Sequence, residues 1–158
     1  MASRDTKDLH FILKEAYEKA CLEYKKRYPL DPQPFACCTY RSNEEQLFLF
    51  NQPKDGIDNN GNGIIDEASE KVTQALPSQS PHNYLPSLAF DIAFINLKQK
   101  LDWNKALFER FAKIIKEIEP RIIWGGDWNN NGNSNDEKFP DAPHFELKNW
   151  ANYKNVTA

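Results

Sequence analysis

The chain has 158 residues, and 20 basic against 23 acidic side chains leave it a formal charge of −3. That balance argues against a general nucleic-acid binder, which carries a basic excess. With 40% hydrophobic and 27% charged residues it is too apolar for a disordered chain, and its length suits one domain that buries a core without disulfide or metal staples.

The first expected element is a helix over Asp8 to Arg27. Leu9, Ile12, Leu13, Ala16, Tyr17, Ala20, Cys21 and Tyr24 recur at three- and four-residue spacing, one face of a 3.6-residue period. Pro29, Pro32 and Pro34 end it. Phe35 to Tyr40 reads as a short strand. Ser42 with Glu45 makes a capping box for a short helix to about Phe50. An Asn/Asp/Gly-rich stretch then interrupts the domain as an insertion at about residues 53–70. Leu88 to Ile95 reads as a buried strand. Asp102 is expected to cap a helix from Trp103 to about Ile118, ended by Pro120. Arg121 to Trp124 reads as a strand and Gly125-Gly126 as a turn. A second Asn/Gly-rich loop covers Asp127 to Asp136, and Pro143 to Leu147 forms a last short strand. The order implies an α+β fold, with helices packed on a small, mostly antiparallel sheet, in a single domain over residues 1–158.

Three cysteines, Cys21, Cys37 and Cys38, offer no C-x-x-C pair, so they are expected as reduced, mostly buried thiols of a cytosolic protein. No apolar run approaches the ~18 residues of a membrane helix, so no stable membrane insertion is expected. The N-terminal MASRDTKDLHF has no apolar core of a secretory signal, which implies synthesis in the cytoplasm without a signal peptide.

The chain has three histidines. His10 is expected as a partly exposed helix residue. His82 is followed by Asp91, and His144 follows Asp141 by three residues. A catalytic zinc takes three nitrogen or oxygen ligands and leaves one position for water. His82, Asp91 and His144 would supply that set. Asp91 lies inside the apolar run LAFDIAF, where a carboxylate is costly unless a cation or donors compensate it. Asp141 would then face the metal's water as general base.

These segments resemble the zinc peptidoglycan peptidases, D-alanyl-D-alanine carboxypeptidases and L-alanyl-D-glutamate endopeptidases, many phage endolysins among them. That family's first motif is S-x-H-x-x-G-x-A-x-D, and Ser80, His82, Ala89 and Asp91 match it. Here eight residues separate His82 from Asp91 in place of six, with Leu85-Pro86-Ser87 where the Gly would be. Asp141-Ala142-Pro143-His144 is similar to the closing motif of a carboxylate, two residues and the last His. The WGGDW run at Trp124 to Trp128 resembles its lead-in in endolysin-like members. Tyr40-Arg41-Ser42 with Glu45-Gln46 looks like the family's Arg-Ser segment, and Lys71-Val72-Thr73 onward like the approach to the first ligand.

The resemblance implies zinc-dependent hydrolysis of a peptide bond next to a D-residue in peptidoglycan stem peptides. Asp141 would serve as base, Arg41 would help polarise the substrate, and Ser80 would anchor the loop. Glu146 would either support the ligands from behind or stand as an exposed strand residue, and it is given no catalytic role. The endolysin-like close favours an L-alanyl-D-glutamate endopeptidase acting on the cell wall as a monomer. A D-alanyl-D-alanine carboxypeptidase, or a non-catalytic calcium-dependent wall-binding module, remain alternatives.

Asp58, Asn60 and Asn62, then Gly63, fit positions one, three, five and six of a calcium loop, with the Ile64 carbonyl at seven and Asp66 at nine. Asp127, Asn129 and Asn131, then Gly132, repeat the pattern, with Asn133 at seven and Glu137 nearby. The Glu expected at position twelve is replaced by Ser69 and Lys138, leaving Glu67 or Glu70, and Asp136 or Glu137, to substitute. Some endolysin-like relatives carry a calcium loop at the second place. Two calcium loops beside a zinc are therefore the expectation, the second loop governing turnover and the first stability.

Overall fold

The computed structural model describes residues 1–154. Helix α1 spans Phe11–Arg27, strand β1 Gln33–Cys38 and helix α2 Asn43–Asn51. Strands β2 Ala89–Ile95 and β3 Leu101–Asp102 follow, then helix α3 Lys105–Ile118, strand β4 Ile122–Trp124 and strand β5 His144–Leu147. The sheet runs β1-β2-β5-β4, with β3 paired to β2 beyond that path, and every pairing is antiparallel. The architecture is the α+β one expected.

One face of the sheet carries the core. Phe90, Ile92 and Phe94 of β2 and Phe145 and Leu147 of β5 point at α1 and α3, all fully buried. Tyr24 of α1 lies 5.5 Å from Phe94, and Phe111 of α3 lies 5.3 Å from Phe145, ring centre to ring centre. Each such side chain contributes about 1.5–3 kcal/mol by leaving water. Strand side chains alternate faces, so Ala89, Asp91 and Ala93, with His144 and Glu146, share the opposite face. The small alanines leave room around Asp91. No helix among the described residues is long and apolar enough to cross a membrane.

Several expectations at element ends shift. α1 begins at Phe11, because His10 is its N-cap: Nδ1 accepts the Ile12 amide at 3.3 Å. His10 is also buried, at 1% exposure, where partial exposure was expected. Asp102 does not cap α3; it is drawn into β3 opposite Phe94, and Asn104 takes the capping role by accepting the Ala106 amide. β1 starts two residues before Phe35 and ends two before Tyr40. Of the capping box at α2, the Ser42 half forms, at 3.1 Å to the Glu45 amide. All three cysteines are free; Cys38 is buried, while Cys21 and Cys37 are half-buried.

Candidate metal centre

Register builds the site. On β2, Asp91 pairs with His144 of β5 on one side and with Cys38 of β1 on the other, a bulge between Ala36 and Cys38 bringing that partner into line. His82 arrives from a single 3-10 turn, Pro81–Asn83. Ser80 caps that turn through its hydroxyl, which accepts the His82 amide at 3.3 Å. Leu85 is 62% exposed, while Ser87 is buried and donates its hydroxyl to the Thr39 and Ala89 carbonyls.

Three donor atoms converge. Asp91 Oδ1 is 3.3 Å from His82 Nε2 and 3.0 Å from His144 Nδ1, and the two nitrogens are 3.2 Å apart. Ligands of a tetrahedral zinc at about 2.0–2.1 Å stand roughly 3.3 Å from one another. The outer edges of the rings assign the tautomers. His82 Nδ1 donates to the Thr39 carbonyl at 2.7 Å, and His144 Nε2 donates to Glu146 Oε1 at 2.8 Å. Both inner nitrogens are then lone pairs aimed at a carboxylate oxygen. Three acceptors at this separation repel unless a cation lies among them, so the donor set fits a metal ion. With protons in that role, burial opposes charge on the imidazoles but Asp91 outweighs it, pushing His82 up to about 10 and His144 up to about 9. Burial favours neutral Asp91, yet the two histidines hold its carboxyl far below the usual range.

Cys38 lies close as well, its Sγ 3.8 Å from His82 Nδ1 and within the same small cluster as Asp91. That nitrogen is already committed to Thr39, so the thiol fronts the wrong edge of the ring. The nitrogen–oxygen triad is the tighter ligand set.

A cleft of about 660 Å³ opens beside the triad, with Asp141, His144 and Glu146 in its lining. Desolvation by the surrounding atoms raises the Asp141 carboxyl from its ordinary value, against the pull of His144. Its backbone is clamped: the Asp141 amide donates to the Gly125 carbonyl at 2.7 Å, and the Gly125 amide to the His144 carbonyl at 2.7 Å. A Cβ on Gly125 would collide with the Asp141 carbonyl oxygen, so this close approach requires glycine. Arg41 reaches the site's margin, with one guanidinium nitrogen 3.1 Å from Gln46 Oε1 and the other 3.7 Å from Cys38 Sγ.

Two contributors, Cys38 and Gln46, escaped the sequence reading as such, and Glu146 was left between two roles. Cys38 is placed only by register. Glu146 stands two residues after His144 on one strand, hence on its face, a spacing that could have marked it as the imidazole's partner. Gln46 is fully buried and joins three parts of the site. It accepts from Arg41 and donates to Thr73 Oγ1 at 3.1 Å and to the Ala75 carbonyl at 2.8 Å. Asn83, next to His82, donates to it at 3.4 Å.

The two Asn/Asp loops fold alike. Asp58 accepts the Gly61, Asn62 and Gly63 amides, and Asp127 accepts those of Asn131 and Gly132. In the first loop the side-chain amides of Asn60 and Asn62 both donate to Glu67, whereas Asp66 turns away to the Gly56 amide at 2.8 Å. The Ile64 amide donates to Asn62 Oδ1. In the second, Asn131 donates to Asp136 at 2.6 Å, Glu137 accepts the Asn129 amide, and Asn133 accepts that of Asn135. Asp127 is buried, with Lys116 Nζ at 3.7 Å.

The family model described as phage L-alanyl-D-glutamate peptidase matches residues 51–148. No curated protein matches the sequence. Among solved structures, the Serratia marcescens L-Ala D-Glu endopeptidase ChiX is similar at 17% identity and a TM-score of 0.61, over 98% of this chain and 92% of that one. A variant of the vancomycin resistance D,D-pentapeptidase VanY from the VanB-type cassette, in complex with Zn(II), is 13% identical with a TM-score of 0.58, over 90% and 74% of the two chains. The LdcB LD-carboxypeptidase is 16% identical with a TM-score of 0.53, over 94% and 63%.

Proposed function

The chain belongs to the phage L-alanyl-D-glutamate peptidase family, and from that premise we propose that it is a zinc endopeptidase cutting the L-alanyl-D-glutamate bond of peptidoglycan stem peptides. The observation that carries this reading is the convergence of His82 Nε2, Asp91 Oδ1 and His144 Nδ1 at 3.0–3.3 Å, beside a cleft that Asp141 borders.

Zinc, when bound, supplies a Lewis acid and an acidified water near neutral pH. His82, Asp91 and His144 would hold it. Thr39 and Glu146 orient the two imidazoles by taking their outer N–H groups, which fixes the tautomers that ligation needs. Asp141 accepts the attacking water's proton and delivers it to the leaving nitrogen; its raised pKa suits both halves of that task. Arg41 faces the negative charge that develops on the carbonyl oxygen. Gln46 keeps the guanidinium in place.

Calcium in the two loops is part of the same proposal. Asp58, Asn60, Asn62, the Ile64 carbonyl and Asp66 would serve the first site, with Glu67 standing closer to the loop's asparagines than Asp66 does. Asp127, Asn129, Asn131, Asn133 and Glu137 would serve the second. The second loop runs from the Gly125-Gly126 turn to Asp141 and His144, so an ion there would steady the base and the last ligand.

The experiment is digestion of purified cell walls, with and without chelator, followed by mass analysis of the released peptides. New D-glutamate amino termini are the expected product. Release of D-alanine alone would make the protein a D-alanyl-D-alanine carboxypeptidase, and wall binding without cleavage would make it the non-catalytic module.

A further inference from the structure

The cleft is lined by segments of different chemistry. One follows the insertion and brings Lys71, Val72, Thr73 and Gln74; another brings Trp128, Phe139 and Pro140. Lys71 is the one cation in the lining among the described residues, and it joins none of their ion pairs. Its backbone is held from both ends. The Lys71 amide donates to the Ala68 carbonyl at 3.2 Å, and the preceding Glu70, buried, accepts the Asn59 and Glu67 amides. Two residues on, Gln46 fixes Thr73 and Ala75. The fixed backbone sets where the ammonium can reach, and only the side chain itself has to be ordered when it meets an anion. In the other segment, Phe139 is 68% exposed, and its carbonyl accepts the Trp128 indole N–H at 2.8 Å, while the Trp128 ring lies 5.5 Å from that of His144.

The substrate proposed above is equally two-sided. D-Glutamate in a stem peptide is linked through its γ-carboxyl, so its α-carboxylate is left free or carried as an amide. On the other side of the scissile bond stand the alanine methyl and, directly attached, the lactyl group of the muramyl sugar, whose C–H faces suit aromatic rings. We infer that the cleft is polarised to match. Lys71 receives the α-carboxylate of D-glutamate, and Phe139 with Trp128 receives the alanine and lactyl-sugar side. This rests on the endopeptidase reading and deepens it: the preferred substrate is an unamidated muramyl peptide.

The test uses the full zinc-loaded chain and three synthetic substrates: a muramyl stem peptide with D-glutamate, the same with D-isoglutamine, and the sugar-free peptide. The wild type is expected to favour the carboxylate over the amide by about 10-fold in kcat/KM, the scale of one charge-assisted hydrogen bond. Lys71→Gln should erase that preference by losing rate on the carboxylate substrate alone. Phe139→Ala should keep it while losing the preference for the sugar-bearing substrate. A Lys71→Gln variant that slows both substrates equally, or neither, would overturn the assignment, as would a Phe139→Ala variant indifferent to the sugar. Product masses separate these failures from failure of the underlying reading. Cleavage at a bond other than L-alanyl-D-glutamate removes both, whereas correct cleavage with unchanged discrimination removes the polarity alone.

Discussion

The triad and the two Asn/Asp loops are both candidate metal sites, and they are built in opposite ways. Asp91 and His144 are neighbours because β2 and β5 pair in that register, and a row of buried aromatic side chains under the sheet holds the register. Each loop draws its oxygens from one contiguous run, and those oxygens are engaged with the loop's own amides. The triad's inner lone pairs face one another with no such satisfaction. A site imposed by long-range packing stays assembled and strongly demands a cation. A site made by its own loop can fold around itself, so its ion adjusts an existing shape.

Breaking the triad should therefore cost most. The His82→Ala, His144→Ala double variant is expected to lose zinc and all measurable wall lysis while keeping the far-ultraviolet circular dichroism of the wild type. Next comes Asp141→Asn, which keeps the side chain's shape but cannot accept a proton. It should retain zinc and lose about 10²–10⁴-fold in turnover; near-normal activity would move the base to Glu146. Gly125→Ala tests the clamp between these groups. The added methyl must displace the Asp141 backbone, and overpacking of this kind costs about 1–3 kcal/mol, while displacement of about 1 Å at the base costs ~10²-fold in rate. Chemical denaturation and lysis assays would read the two effects separately.

The loops should give smaller, conditional effects. In zinc-loaded, calcium-stripped protein, added calcium is expected to raise lysis, and Asp127→Ala to remove that response. Asp58→Ala should chiefly lower thermal stability. The first loop nevertheless leads through Glu70 into the Lys71–Ala75 wall, so a modest rise in KM is expected with it. If Asp58→Ala alone abolished the calcium response, the ranking of the loops would be reversed.

This contrast also explains what was legible in the sequence. The loops announce themselves, since their pattern is contiguous. Helices α1 and α3 and strand β2 were legible from apolar period, α2 from its capping box, and the candidate residues His82, Asp91, Asp141 and His144 from residue type together with family motifs. Cys38, Gln46 and the Glu146 partnership were not, because each depends on which strand or loop lies alongside. Asp102 misled for the same reason: a good capping residue was taken by a strand pairing that only the fold reveals. His10 was underestimated because nothing local shows that the turn at Tyr153 covers it, 5.4 Å between ring centres.

The central claim is that His82, Asp91 and His144 share one metal ion, and the direct measurement is elemental analysis of protein purified without added metal. One zinc per chain is predicted for the wild type and none for the His82→Ala, His144→Ala variant. Stoichiometric zinc in that double variant would contradict the ligand assignment.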